Sequence, residues 1–319
     1  MIWNFDDLDE KLKRQNRYFN KPIQDALDKI FSNLQLVKTK TGQSVLEIAG
    51  PEQPISGLYR ARVFQSDKAL VEALEKPDLK LGPPPYNLAR GGRMNAHVIS
   101  VFYGATSIET AIAETRPPVG SKVLVGNFPI TTKLILLNLS KFSEIKSVGI
   151  IFDPHFIEEK DRIAFMRHLE ERLTKPVMPD DETIDYVTTQ AVADYLSQIE
   201  HPHLDGIIFK SVQGADAGLN VVLFNKSSKV KRNPVFENSV VEVSTYIDSE
   251  DGPETWYSIN IDATPMKGKN PDDKKDESKL NLDINSLTIH HIKKVSYSKD
   301  SFSAYYYLKN SGNTEDWKF

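Results

Sequence analysis

Residues 81–118, LGPPPYNLARGGRMNAHVISVFYGATSIETAIAETRPP, carry the punctuation from which the fold of this chain is read. Pro83-Pro84-Pro85 fixes successive φ angles and excludes a helix or an interior strand. A second loop follows at Arg90-Gly91-Gly92-Arg93, where paired glycines free the backbone to take positive φ or to approach a ligand closely. Val98–Tyr103 (VISVFY) reads as a buried strand, β-branched and aromatic, ended by Gly104-Ala105. Thr106 and Glu109 form a capping-box pattern, predicting a helix from Ser107 to about Arg116 that Pro117-Pro118 stops. Two arginines beside glycines, a strand ending in Tyr103 and a helix carrying Glu114 thus fall within one short stretch. That set suits an anionic, aromatic ligand better than a plain core.

Upstream, Gly57–Phe64 reads as a strand whose alternation puts Tyr59, Ala61 and Val63 on one face and Arg60, Arg62 and Phe64 on the other. Residues 1–50 look helical. Phe5, Leu8 and Leu12 keep helical spacing, as do Ile23, Leu27, Ile30 and Leu34, with Pro22 placed to open the second piece. Downstream, Lys122–Phe128 and Lys133–Leu139 are β-like, and helical patterns return at Asp161–Leu173 and Glu182–Ile199. Leu204–Ser211 is a turn feeding a buried strand, followed by a loop holding Gly214 and Gly218 and a second buried strand, Leu219–Phe224. Ser211 therefore stands where a strand gives way to a glycine-containing loop; a serine capping its own turn is the competing reading. Beyond Asn225, Val235–Asp248, Thr255–Ile261, Leu287–Tyr297 and Ser303–Leu308 are β-rich, and Lys267–Lys279 is a charged loop without an apolar residue. The division expected is a helical appendage at 1–50, a catalytic domain at 51–230 and a β-rich extension at 231–319 with its charged loop at 267–279.

Bulk properties narrow the function classes. The chain has 319 residues, 39% of them hydrophobic and 26% charged, in the range of an ordinary soluble globule. Its 40 Lys+Arg against 44 Asp+Glu, a formal charge of −4, argue against a nucleic-acid partner. With 0 cysteines, thiol catalysis, thiolate zinc sites and disulfides are excluded. No apolar run reaches membrane-spanning length and the first residues lack a signal-peptide core, so a cytoplasmic protein with no membrane partner is expected. His201-Pro202-His203, His290-His291 and Asp153-Pro154-His155 do not supply three or four ligands on rigid elements, so no metal is expected. Neither a dinucleotide-binding glycine fingerprint nor a P-loop nor a nucleophile elbow occurs.

The ordered set Leu58-Tyr59-Arg60, Gly91-Gly92-Arg93-Met94-Asn95, Phe102-Tyr103-Gly104-Ala105, Thr110-Ala111-Ile112-Ala113-Glu114 and Asp205–Ser211 resembles the RES-domain family over roughly residues 57–225. That family is named for an arginine, a glutamate and a serine, and is known mostly as NAD⁺-degrading toxins of toxin–antitoxin pairs. The resemblance implies an α+β fold like that of ADP-ribosyltransferases, with a mixed core of split β-sheets and flanking helices. To it this chain adds the N-terminal helical appendage and the C-terminal β-rich extension. The resemblance implies Glu114 as the catalytic carboxylate, with Arg93 and Ser211 in the catalytic set. Arg60, with Arg62 as its alternate, Tyr103 and Gln190 are implied as ligand-binding residues. Met94 stands where family toxins often carry tryptophan, and the chain is longer than the compact toxins.

The chemistry implied is cleavage of the nicotinamide–ribose bond of NAD⁺ as substrate, with inorganic phosphate (a phosphorylase) or water (a glycohydrolase) as acceptor. The transition state is oxocarbenium-like and the leaving group already cationic, so a carboxylate that stabilises positive charge does more than a general acid. Planar arginine forks suit the pyrophosphate and an aromatic face suits nicotinamide. Glu114 lies about 200° around the helix from Ile112, where a merely solvated glutamate would also lie. The alternatives are transfer of ADP-ribose to a macromolecule and a non-catalytic nucleotide- or partner-binding protein. Expected partners are an antitoxin or other inhibitor protein, and a second copy of the chain through the N-terminal helices.

Overall fold

A computed structural model describes residues 4–15, 19–146, 156–213, 218–249, 252–262, 277–310 and 313–317. The helices are α1 (Phe5–Arg14), α2 (Lys21–Ile30), α3 (Asp67–Glu75), α4 (Pro77–Lys80), α5 (Ile108–Glu114), α6 (Phe156–Thr174), α7 (Glu182–Asp185), α8 (Val187–Leu196) and α9 (Pro234–Asn238). The strands of the main sheet are β1 (Leu46–Ala49), β2 (Gly57–Phe64), β3 (Phe102–Ala105), β4 (Lys122–Pro129), β5 (Leu134–Asn138), β6 (Gly206–Lys210), β7 (Leu219–Leu223) and, later in the chain, β10 (Asp283–His291). Between these last two, β8 (Val240–Ser249) and β9 (Gly252–Asp262) form a separate hairpin, as do β11 (Tyr306–Asn310) and β12 (Asn313–Trp317).

The main sheet runs β1-β5-β6-β7-β3-β2-β4-β10, and only β5 and β6 pair in parallel. Its pairing is uneven. β2 matches β4 along its whole length, from Gly57↔Pro129 to Phe64↔Lys122, whereas β2 and β3 are matched only at Tyr59↔Ala105. The eight strands thus make one mixed sheet of an α+β fold, and its pairing is thinnest at the seam between β2 and β3.

Burial follows the alternation of the strands. Ile208, Val221, Leu223, Leu124 and Phe128 point to one face and share a continuous core with Leu70, Ala73 and Leu74 of α3. The opposite face is covered by two separate cores. Ile207, Phe209 and Val222 pack under α1, α2, α6 and α8. Val123, Val125 and Ala61 pack under Ala111 of α5. One face is thus continuous across the seam while the other is interrupted, and an interrupted face leaves a cleft.

Several expectations change. The strand expected at Val98–Tyr103 begins only at Phe102 and continues through Gly104-Ala105; Val98 is exposed at φ 70°. The preceding loop needs no ladder, because the buried Asn95 side chain satisfies its carbonyls: the Nδ2 lies 2.9 Å from the Arg90 carbonyl and 2.9 Å from that of Ile99. The helix cap falls at Ser107, whose hydroxyl accepts from the Thr110 amide at 3.2 Å, rather than at Thr106. Gly91 and Gly92 do not take positive φ. Residues 1–50 are not helical throughout: β1 closes the segment and pairs with β5 from Leu46↔Leu137 to Ala49↔Leu134. Within the expected C-terminal extension, β10 adds to the main sheet beside β4. The pattern expected at Glu182–Ile199 is divided into α7 and α8 at Tyr186. Asp153-Pro154-His155, Gly214 and most of the charged loop lie outside the described residues. Among those described, no helix is long and apolar enough to cross a membrane.

Candidate active site

A cavity of about 690 Å³ opens at the seam, lined from β2, β3, β6, β7, α5, α6 and the loop that precedes Tyr103. Its cations are Arg60, Arg90, Arg93, Arg116 and Lys210, against the carboxylates Glu114 and Glu182. Lys210 is already matched by the buried Glu170 at 2.9 Å, which leaves the arginines as the unbalanced charge. Such a cleft favours an anionic ligand.

The arginine wall is built on backbone. Arg93 donates from Nη1 to the carbonyls of Leu173 and Lys175, each at 2.9 Å, and its guanidinium lies 5.1 Å from the centre of the Tyr186 ring. Its own carbonyl accepts from Thr189 Oγ1 at 2.6 Å, and the Gly92 carbonyl accepts from Gln190 Nε2 at 2.8 Å, so α8 clamps this loop from behind. Tyr103 reaches the loop from β3: its hydroxyl donates to Asn95 Oδ1 at 2.8 Å and accepts from the Met94 amide at 3.1 Å. Burial pushes the Tyr103 phenol above its ordinary pKa. Here Gly92 is explained, since a Cβ would stand 2.8 Å from the Tyr103 hydroxyl and 2.9 Å from Asn95 Oδ1.

Arg60 sits over the Phe102 ring at 4.7 Å, and its buried Nη1 has no hydrogen-bond partner among the described residues. Burial, helped by the like charge of Arg62, lowers its pKa to about 9. It still carries its charge at neutral pH, with a donor left unpaired beside the cavity. The neighbouring Arg62 does not line the cavity and donates instead to the Gly82 carbonyl at 3.2 Å. The two arginines left open by alternation are thereby separated, with Arg60 at the cleft and Arg62 turned to the loop before it.

The opposite wall carries Glu114, at the last turn of α5. Its Oε1 accepts from Ser211 Oγ at 2.6 Å and from Asn220 Nδ2 at 2.7 Å. Ser211 reaches it because its amide is held to the Gly218 carbonyl at 2.8 Å where β6 passes into β7. A Cβ on Gly218 would collide with Thr110 Oγ1 of α5, so this glycine is what lets the strand end sit close to the helix that presents Glu114.

Of the residues expected at the site, Arg60, Arg93, Tyr103 and Glu114 line the cavity, Ser211 touches it through Glu114, and Gln190 holds its loop from outside. Arg62 is not gathered there. Arg90, the other arginine of the glycine loop, lines the cavity too, whereas sequence reasoning missed Asn220, Tyr186, Arg116 and Glu182 as cavity residues. Asn220 offered one signal, a lone amide inside the apolar run LNVVL. The expected histidine pairs serve local contacts, His291 with Tyr257 at 2.8 Å and His290 with Thr288 at 3.0 Å.

Comparison with protein families gives a match to the RES domain over residues 62–245, more than half of the chain. The chain belongs to the RES domain family. A comparison with curated proteins found no match. RES domains are linked to NAD-processing enzymes and to toxin-like action, and the described cleft lies among residues inside or directly bordering the matched span.

Proposed function

We propose that the cleft binds NAD⁺ as substrate and breaks its nicotinamide–ribose bond. The observation that carries this reading is Glu114, a carboxylate fixed by Ser211 and Asn220 in a cleft whose other wall is arginine. Arg93 and Arg60 take the pyrophosphate, where charge-assisted bonds to planar forks are strongest. The ring face of Tyr103 meets the base, since its hydroxyl is spent on the loop.

As the bond between C1′ and the nicotinamide nitrogen breaks, the bonding pair leaves with nicotinamide, which departs neutral. Positive charge grows on C1′ and the ring oxygen, and Glu114 stabilises it. An oxygen of water or phosphate then bonds to C1′, and in hydrolysis the water proton passes to solvent. In a cell this consumption of NAD⁺ would act as a toxin, held in check by an inhibitor protein.

Nicotinamide release measured with and without inorganic phosphate tests the reading and separates the acceptors. A product carrying phosphate on C1′ makes the enzyme a phosphorylase, and free ADP-ribose makes it a glycohydrolase. Intact NAD⁺ under both conditions overturns the proposal.

A further inference from the structure

Both donors to Glu114 converge on one oxygen. Ser211 Oγ and Asn220 Nδ2 bond Oε1, while Oε2 has no hydrogen-bond partner among the described residues. The two donors differ in firmness. Ser211 sits at the end of β6, carries a freely turning hydroxyl and also accepts from the Gln213 amide at 3.2 Å. Asn220 is only 5% exposed, inside β7, with its backbone registered to Phe209 of β6 on one side and Ala105 of β3 on the other.

Its neighbours Val221, Val222 and Leu223 are fully buried and apolar, and a primary amide among them is unfavourable unless hydrogen-bonded. The bond it makes is to Glu114. We propose that Asn220 is a positioning residue: it holds Oε1 against the sheet so that Oε2 is the atom presented to the ligand. This deepens the reading of the cleft as an NAD⁺-cleaving site and rests on it.

Without this donor Glu114 loses its fixed orientation, and a small misplacement of a reacting group is costly. In Asn220→Ala kcat for nicotinamide release should fall by about 10-fold. In the nearly isosteric Asn220→Asp, whose new carboxylate faces Glu114 and cannot donate to it, the fall should be larger. KM for NAD⁺ should change little in either, because the arginine wall is intact. In a Glu114→Gln background the same substitutions should cost almost nothing more, since the group they position is already lost. A residue that merely filled space would lower thermal stability and leave kcat of the folded protein in place, and that result overturns the proposal. The side-chain amide resonances of Asn220 read the same contact by NMR without turnover, and should move in Glu114→Gln. Resonances that move while the wild type releases no nicotinamide keep the positioning role and discard the reaction, whereas unmoved resonances discard the positioning role.

Discussion

The two walls of the cleft are held by different means. On the arginine wall, Arg93 and its glycine loop are tied by the carbonyls of Leu173 and Lys175 and by the Thr189 hydroxyl and Gln190 side-chain amide of α8, uncharged groups spread over two elements. On the opposite wall a single carboxylate is held by two side chains, Ser211 and Asn220. The first arrangement holds cations in place with uncharged partners, which suits an anion. The second fixes the orientation of one carboxylate, and a single substitution can change it. On the proposed reading, binding belongs to the first wall and chemistry to the second, and the two should be separable by mutation.

The largest effect should come from breaking the support of the arginine wall. The amphipathic pattern of residues 1–50 asks for an apolar partner surface, on a second copy or on the main domain, and the segment packs on the main domain. Phe5, Leu8, Leu12, Ile23, Leu27, Ile30 and Phe31 are all buried in the core formed with α6 and α8, and β1 is part of the sheet. Uncovering or losing large core side chains costs about 2–5 kcal/mol each, against a total stability of about 5–15 kcal/mol. Deleting residues 1–50 should therefore yield unfolded or aggregated protein, seen by circular dichroism and light scattering. A folded, NAD⁺-binding fragment would show that α6 and α8 stand without this layer.

A smaller loss is expected from Arg93→Lys. A lysine cannot bridge the Leu173 and Lys175 carbonyls and still offer a fork to the ligand. NAD⁺ affinity by calorimetry should fall by about 1–3 kcal/mol, the range of charge-assisted hydrogen bonds. An unchanged affinity would reduce Arg93 to a loop anchor.

Less of an effect, and only in alkali, should follow from titrating Arg60. Its pKa in the free protein is about 9, and an anionic ligand favours the protonated form. Affinity should be flat below that pH and decline as pH rises through it, with protons taken up on binding. An affinity level to pH 10.5 would place Arg60 away from the ligand.

Much of this was legible in the chain. β2 runs from Gly57 to Phe64, as its alternation predicts, because an edge-free strand with one apolar face has only one register that buries it. The helix that carries Glu114 was legible from its cap and its closing prolines. A role for Glu114 came only from the family resemblance, because helical periodicity also allows a solvated glutamate there. The loop around Asn95 was not, since VISVFY has strand propensity throughout and a single buried amide outcompetes the ladder for its carbonyls. Nor could alternation choose between Arg60 and Arg62, which share a strand face; the loop at Gly82 decides it. Asn220 and Tyr186 reach the site from more than a hundred and about seventy residues beyond Glu114 respectively in the fold's connectivity, through sheet register and helix packing that no local pattern specifies.

The most direct test compares nicotinamide release from NAD⁺ by the wild type and by Glu114→Gln. Glutamine keeps the shape and the α5 position but removes the charge that answers the oxocarbenium. The wild type should release nicotinamide, and the variant should lose at least about 100-fold in kcat while binding NAD⁺ with little change, because the arginine wall is intact. Release by the variant at a rate near that of the wild type would contradict the division of labour between the two walls.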